Sequence, residues 1–143
     1  MKLHNWKIVL SVCIVLSCGS AYSAIDGKPR KMQNIAAGAW GGQHINIAIE
    51  GNTATIEYDC ANGTINGPFK LDRNGRFSLS GTHVTGHPGP IRVDVKPESQ
   101  PARYTGRIDG KKMTLTVTLT NGNVKIGTFN LTHGQAGRLR KCY

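Results

Sequence analysis

The sequence predicts an all-β protein, a small antiparallel meander that closes into a barrel of about eight strands. Short segments in which apolar and polar residues alternate follow one another along most of the chain, which is the period of half-buried strands. Turn residues separate these segments at regular intervals, and no segment of useful length after residue 24 has helical periodicity. We prefer a barrel to a β-sandwich, the alternative, because sequential hairpins form a meander and closure removes exposed strand edges.

An export signal precedes the strands, at residues 1–24. Lys2 and Lys7 form a positively charged start, Ile8–Leu16 is almost continuously apolar, and Ala21-Tyr22-Ser23 places small residues where a signal peptidase cleaves. The apolar run is about half as long as a membrane-spanning helix. The segment therefore predicts a periplasmic or secreted protein.

A second interpretation of the signal concerns Val15-Leu16-Ser17-Cys18, which resembles the bacterial lipobox. In such a box the cysteine is lipidated and becomes the mature N-terminus, so Cys18 would anchor the protein to a membrane through acyl chains. This lipid-anchored location is the alternative to a free periplasmic or secreted one. In both interpretations a basic linker follows at residues 25–34, and a single β-barrel domain occupies residues 35–143.

The first predicted hairpin begins with a strand over residues 43–50. Isoleucines alternate with other residues, so one face is apolar, and the opposite face carries His44 and Asn46. Gly51-Asn52 follows and supplies two residues that accept positive φ, as a two-residue turn requires.

The returning strand is predicted over residues 53–60. Its inward-facing residues end with Tyr58 and Cys60, whereas Asp59 faces solvent. Ala61-Asn62-Gly63 is expected to turn the chain again. Cys60 is therefore expected to point into the core.

Three further strands are predicted in the middle of the chain, at residues 64–71, 76–84 and 91–95. Asp72-Arg73-Asn74-Gly75 is a strong turn signal between the first two. The proline-containing segments at residues 86–90 and 96–101 are expected to be loops.

The clearest hairpin of the second half joins residues 104–108 to residues 113–120. The second of these strands has apolar residues on one face and threonines on the other. Threonine suits an exposed pleated surface, so we expect this face to be in solvent.

The last predicted strand covers residues 124–132, and its alternation changes phase along its length. Val124 and Ile126 share one parity, whereas the later apolar residues share the other. One extra residue near Gly127 would correct the phase, so we predict a β-bulge there.

The cysteines divide between the signal and the exported region. Cys60 and Cys142 are the pair outside the signal, and two cysteines in an oxidising compartment predict one disulfide bond. The bond would close a loop of about 80 residues, for which the chain-entropy model gives about 4 to 5 kcal/mol of stabilisation. The alternative is a free nucleophilic Cys60, which requires a reducing compartment or a missing partner.

The chain is strongly basic, with 18 lysines and arginines against 8 acidic residues. Part of the excess lies in two terminal clusters, which are Lys28, Arg30 and Lys31, and Arg138, Arg140 and Lys141. Such charge attracts anionic envelope polymers or a membrane surface. Because aromatic residues are scattered and no nucleic-acid fold signature is present, nucleic acid is not an expected partner, and we first interpret the charge as a solubilising surface.

Gly38-Ala39-Trp40 resembles the Gly-x-Trp sequence that opens the first barrel strand of calycins, the superfamily of lipocalins and avidins. The resemblance covers three residues. In that superfamily an arginine near the last strand packs over the tryptophan, and Arg138 or Arg140 would take this role here. The resemblance implies a barrel with a ligand in its mouth.

Three segments share their residues with a larger group of proteins. They are Trp40–His44 (Trp-Gly-Gly-x-His), residues 57–65 (an acidic residue, then Tyr-Asp-Cys-Ala-x-Gly-Thr-Ile), and a hairpin from Tyr104 to Val117 (Tyr-x-Gly…Met-x-Leu-x-Val). The exported region resembles, over nearly its whole length, a group of small exported bacterial proteins of unknown function. The resemblance implies a bacterial origin and no activity. This chain has Asn62 where the group often has histidine, so imidazole chemistry is not expected at that position.

A thiol enzyme would need a nucleophile, a base and an orienting group within hydrogen-bond reach. Cys60, His44 and Asp59 are the one trio available, but strand alternation turns Cys60 inward and the other two residues outward. We therefore expect no enzymatic activity.

The histidines do not predict a metal site. His83 and His87 are four residues apart but flank a loop beside prolines, with no further cysteine or acid nearby, and His133 is isolated. We interpret them as loop histidines, and we expect no cofactor.

These observations favour a monomeric, non-enzymatic binding module for a small or envelope-derived ligand. The candidate binding residues combine aromatic side chains with neighbouring polar groups: Trp40, His44, Asn46, Glu57, Tyr58, Asp59 and Tyr104. One alternative is an envelope-associated interaction protein that uses its basic termini on anionic polymers. A hydrolase or thiol enzyme is the weakest alternative.

Overall fold

The computed structural model describes residues 33–86, 98–140 and 142. Eight antiparallel strands are each paired with the next, and the last pairs with the first to close a barrel, which confirms the predicted fold class. The strands are β1 (Gly38–Gly42), β2 (Ile45–Glu50), β3 (Thr53–Tyr58), β4 (Ala61–Asn66), β5 (Arg76–Thr85), β6 (Ser99–Asp109), β7 (Lys112–Leu119) and β8 (Val124–His133). Within the described residues, no helix is long and apolar enough to cross a membrane.

The strand connections define two ends of the barrel. We call the end with the β1–β2 turn at Gln43-His44 the upper end, and the end with the β2–β3 turn at Gly51-Asn52 the lower end. The chain enters β1 at the lower end, and β8 also finishes there. The residues after β8 form a C-terminal tail that returns towards the upper end outside the barrel, where Arg138 pairs in parallel with Gln43.

The barrel interior is filled by side chains. Alternation along the strands turns apolar residues inward, and the largest fully buried side chains are Trp40, Tyr104, Ile45, Ile56, Leu115, Leu131 and Val117. A remaining void in this core measures about 10 Å³, which is no more than about one water molecule needs. Because burial of each side chain of this size contributes about 1.5–3 kcal/mol, the packed interior is the main source of the barrel's stability.

Two segments packed against each other cover the lower mouth of the barrel. The Ile35 N–H donates to Phe69 O at 2.7 Å, and the Leu71 N–H donates to Gln33 O at 2.8 Å. Ile35, Phe69 and Leu71 are buried and continue the apolar core. The segment before β1 and the β4–β5 loop therefore form a lower cap.

The predicted β-bulge is present in β8. The pairing of β7 with β8 passes from Val117 opposite Gly127 to Thr118 opposite Lys125, which leaves Ile126 as the extra residue. The bulge does not return Ile126 to the core, since this side chain is 38% exposed.

The first predicted strand is wrong at its start. Gln43 and His44 form the turn between β1 and β2, with His44 at a φ of 65°, and β2 begins at Ile45. The alternation of polar and apolar residues already begins at His44 and continues through β2, so the sequence pattern conceals this turn.

The connection between β3 and β4 also differs from the prediction. The chain bends at Asp59-Cys60, and the expected turn at Ala61-Asn62-Gly63 is instead the start of β4. Because the regular alternation stops at Tyr58, Cys60 is exposed and the prediction of an inward Cys60 is wrong.

Ser99–Pro101 begin β6, although the sequence predicts a loop over residues 96–101. Several predictions lie outside the described residues. These are the export signal with Cys18, the first basic cluster at residues 28–31, the strand at residues 91–95, and most of the loop at residues 86–90.

Candidate functional site

The structure distributes the candidate binding residues over several places instead of one site. Three contact the C-terminal tail outside the barrel, one is exposed on the same outer face, and three lie inside the barrel. The outer residues are His44, Asn46, Asp59 and Glu57, and the inner residues are Tyr58, Tyr104 and Trp40.

His44 and Asp59 connect the upper turns to the tail. The Asp59 Oδ2 and His44 Nδ1 atoms are 2.5 Å apart, and the second carboxylate oxygen of Asp59 accepts the Arg140 N–H at 2.7 Å. The pKa of Asp59 is lowered below its ordinary value, mainly by the hydrogen bond from the Arg140 N–H. His44 acts in the same direction with a smaller effect. The ionised carboxylate is therefore part of the attachment of the tail.

Further hydrogen bonds attach the tail along β1 and β2. The His44 N–H donates to Arg138 O, and the Arg138 N–H donates to Gly42 O, both at 2.9 Å. The Gly137 N–H donates to Asn46 Oδ1 at 3.1 Å. Asn46 is thus a structural contact of the tail.

Two glycines allow the tail to approach the barrel wall closely. A Cβ atom on Gly41 would collide with the backbone of Gln135 and Ala136, and one on Gly137 would collide with Ile45 O. Only a residue without a side chain fits at these contacts. The first glycine of the Trp-Gly-Gly-x-His segment is explained by this packing.

Cys60 and Cys142 join the end of the tail to the upper end of the barrel. Their Cα atoms are 5.5 Å apart, in the range of a disulfide bond, and the two residues are separated by 82 positions in the sequence. We call His44, Asn46, Asp59 and this cysteine pair the tail clamp. In this arrangement the Cys60 sulfur is bonded, and the other residues of the thiol-enzyme trio contact each other.

A group of polar side chains lies inside the barrel, towards the upper end. Tyr104 Oη donates to Thr82 O at 2.7 Å, whereas Tyr58 Oη and His83 Nδ1 are buried without a hydrogen-bond partner among the described residues. The Tyr58 ring packs 5.2 Å from the His83 ring and 5.6 Å from the Phe129 ring. These contacts are those of a packed core.

Burial favours the neutral form of all three of these groups. It raises the pKa of Tyr58 and of Tyr104, and it lowers the pKa of His83. His83 lies in β5 and is 4% exposed, so its interpretation as a loop histidine is wrong. His87, the other member of the predicted pair, lies outside the described residues.

A depression of about 280 Å³ lies on the outside of the lower end. The segment before β1, the β4–β5 loop, the β6–β7 turn and Trp40 form its walls, and its polar side chains include Asn34, Arg73, Arg107 and Asp109. Its volume approaches the lower limit of small-molecule pockets, about 300 Å³. This is a recess that could hold a small ligand with both polar and apolar parts.

Asp72 orders the loop at the rim of the depression. Its Oδ1 atom accepts the N–H groups of Asn74 and Arg76, both at 2.8 Å. The Arg76 N–H contributes most to lowering the pKa of Asp72, and the charges of Arg76 and Arg107 act in the same direction. The ionised Asp72 fixes the loop that carries Arg73.

Trp40 connects the depression to the core. Its side chain is 1% exposed, its Nε1 donates to Ala36 O at 2.9 Å, and its ring lies 4.8 Å from the ring of His133. The side chain that packs against the Trp40 ring is therefore His133, in the last strand, and not an arginine. The expected arginines, Arg138 and Arg140, have their backbone attached to the outside of the barrel instead.

Sequence reasoning singled out Trp40 but missed the polar residues of the depression. Arg73 falls in a predicted turn, and Arg107 and Asp109 fall at the end of a predicted strand and in the turn after it, with no spacing that relates the two regions. They meet because β5 pairs with β6, which brings the β4–β5 loop beside the β6–β7 turn. The turn residues at 72–75 and 109–112 were the one available indication of these two loops.

Within the part of the chain that the structure describes, no group of three or more side chains could hold a metal ion. Comparison with protein-family models, curated proteins and solved structures finds no match for this chain. The chemistry of the depression therefore has to be inferred from its own residues.

Proposed function

We propose that the protein is an exported, non-catalytic binding module whose small ligand occupies the depression at the lower end of the barrel. The observation that carries the proposal is the depression itself, about 280 Å³ in volume, where separate segments converge beside Trp40. The void of about 10 Å³ in the core is too small for a ligand. This contrast favours a surface site over the barrel mouth that the calycin resemblance implies.

The side chains around the depression favour a hydroxylated carboxylate, such as a sugar acid. Guanidinium groups, here of Arg73 and Arg107, bind carboxylates through paired, charge-assisted hydrogen bonds. Asn34 and Asp109 provide an amide and a carboxylate for ligand hydroxyl groups. Apolar residues of the lower cap and Trp40 suit a carbon skeleton.

The tail clamp supports a non-catalytic role. Cys60 lies at bonding distance from Cys142, and Asp59 accepts hydrogen bonds that attach the tail. A nucleophile–base pair requires a free nucleophile beside its base, which this arrangement does not provide at Cys60.

Trp40 fluorescence tests the proposal, because Trp40 is the one tryptophan after the export signal. The purified exported region is titrated with glucuronate, glucose and inorganic phosphate. We expect a saturable change of Trp40 emission with glucuronate, and weaker changes with glucose, which lacks the charge, and with phosphate, which lacks the carbon skeleton.

A charge-matched pair of variants locates the site. Arg73→Gln removes a cation from the depression and should weaken glucuronate binding about tenfold, whereas Lys70→Gln removes an exposed cation nearby and should leave it unchanged. Folded protein whose emission responds to none of the three probes contradicts the proposal. Equal weakening in both variants also contradicts it, since the attraction would then depend on overall charge.

A further inference from the structure

The outward face of β5–β8 carries a regular array of polar side chains. Its middle row consists of one hydroxyl residue from each strand in direct register: Ser78, Thr105, Thr116 and Thr128. The hydroxyl oxygens of Thr116 and Thr128 are 3.0 Å apart, so these neighbours order each other. We call this face, from the row of Arg76 to the row of Arg103, the β5–β8 wall.

Positive charges flank the hydroxyl row on both sides. Arg76 and Arg107 stand opposite each other in the row below, and Arg103 and Lys125 belong to the row above. All four side chains are exposed, and no acidic residue stands in these three rows. Within the described residues, none of the four forms an ion pair.

The pairing of Arg76 with Arg107 is unfavourable by itself, because like charges directly opposite on neighbouring strands destabilise the pair. Asp72 lies near enough for both charges to help lower its pKa, after the larger effect of the Arg76 N–H. One carboxylate thus offsets part of the repulsion of the lower row. The upper row has no such group within its own register, so the wall keeps a net positive field.

We propose that the β5–β8 wall binds an anionic polysaccharide, with its arginine and lysine side chains on the polymer's carboxylates and its hydroxyl row on the sugar hydroxyls. Charge complementarity supports a polyanion. The three rows contain no aromatic residue, whereas single-stranded nucleic acid binds largely by base stacking on aromatic side chains. This surface adjoins the small-ligand depression and shares Arg107 with it, whereas Arg103 and Lys125 of the upper row do not line the depression.

A membrane is the competing occupant. Val124 and Ile126, beside the upper row, are 52% and 38% exposed, and binding in a membrane interface depends on apolar side chains inserted between headgroups. Two such residues at one corner leave most of the wall, with its ordered hydroxyl groups, without a role at a membrane. The polysaccharide uses the whole array.

The array also predicts a dependence on polymer length. Arg103 and Arg107 are four residues apart on β6, which corresponds to about 13 Å along the strand. A chain has to span this distance to contact both cationic rows. Polygalacturonate should therefore bind more tightly than galacturonate at equal concentration of carboxylate, and uncharged dextran should bind weakly.

Calorimetric titration of the exported region with polygalacturonate tests the wall. The double variant Arg103→Gln/Lys125→Gln removes the cations of the upper row, which do not line the depression. The control Lys70→Gln/Lys111→Gln removes two exposed cations elsewhere. We expect about tenfold weaker binding in the first and little change in the control. Thr116→Val, which keeps the shape and removes one hydroxyl, should weaken binding about threefold.

Several outcomes would overturn the wall as a polysaccharide site. These are no binding of polygalacturonate by the native protein, equal losses in both double variants, or equally tight binding of anionic vesicles or single-stranded DNA. The two proposals fail separately, because Arg73→Gln should change glucuronate binding to the depression while the upper-row variant should not. Thermal unfolding of each variant confirms that it is folded.

Discussion

The outer faces of the two halves of the barrel differ in how their polar residues are used. On β1–β3 and the adjoining turns, His44, Asn46 and Asp59 contact one another or the C-terminal tail. On the β5–β8 wall, the cationic side chains are exposed and unpaired among the described residues. The difference teaches that a segment dense in His, Asp and Cys can be structural, whereas plainer rows of threonines and arginines can leave their cationic groups exposed and without ion pairs.

Among changes that separate the two faces, loss of the cysteine bond should lower the stability of the protein most. Cys142→Ser removes the link across 82 positions, which the chain-entropy model values at about 4 to 5 kcal/mol of unfolding free energy. Denaturant unfolding of both proteins under non-reducing conditions measures this loss of unfolding free energy. Thr116→Val on the wall should change stability by no more than about 0.5 kcal/mol. Equal unfolding midpoints for Cys142→Ser and the native protein would show that the cysteine bond contributes nothing to stability.

A side chain between the tail and β1 should have the next largest effect. Gly41→Ala forces a Cβ atom against the backbone of Ala136, and overpacking of this kind costs about 1–3 kcal/mol. We expect earlier unfolding and faster proteolysis at residues 134–140. Ser78→Ala, on the exposed wall, is the control and should leave the tail protected. A Gly41→Ala protein with an unchanged rate of tail cleavage would argue that the tail does not lie on β1 in solution.

Acid should loosen the clamp with the smallest effect of the three. The folded-state pKa of Asp59 is lowered, chiefly by the Arg140 N–H. The stabilisation from the ionised Asp59 is therefore complete above the ordinary carboxyl pKa, about 3.9. It is lost as the pH falls through the folded-state pKa. Hydrogen exchange of the Arg140 amide, measured against pH, should show protection decreasing in that acidic range. Asp59→Asn should remove this step, and a step that persists in Asp59→Asn would assign it to another group.

Much of the fold was predictable because period-two alternation and turn residues are local signals. The phase change in β8 correctly predicted the bulge, because a change of apolar parity within one strand indicates an extra residue, although Val124 and Ile126 remain exposed. The turn at Gln43-His44 was not predictable in this way. His44 takes a positive φ although it is the first residue of the alternating pattern, and the strand before it contains glycines, which do not indicate which face is buried.

The candidate site was less predictable than the fold, because it depends on contacts between distant parts of the chain. Strand parity placed His44 and Asp59 outside, but it could not show that the tail comes back over them. It also failed for Cys60, where the strand had already ended. The depression and the wall arise from register between neighbouring strands, which a single strand's pattern does not contain.

The route of the C-terminal tail has a consequence for the order in which the protein is assembled. The tail leaves from the end of β8, crosses β1 and reaches the turn after β3. The tail follows β8 directly, so its path over β1 is complete only when β8 has paired with β1. A bond between Cys60 and Cys142 therefore tethers the last strand to the turn after β3, across the closure between β1 and β8.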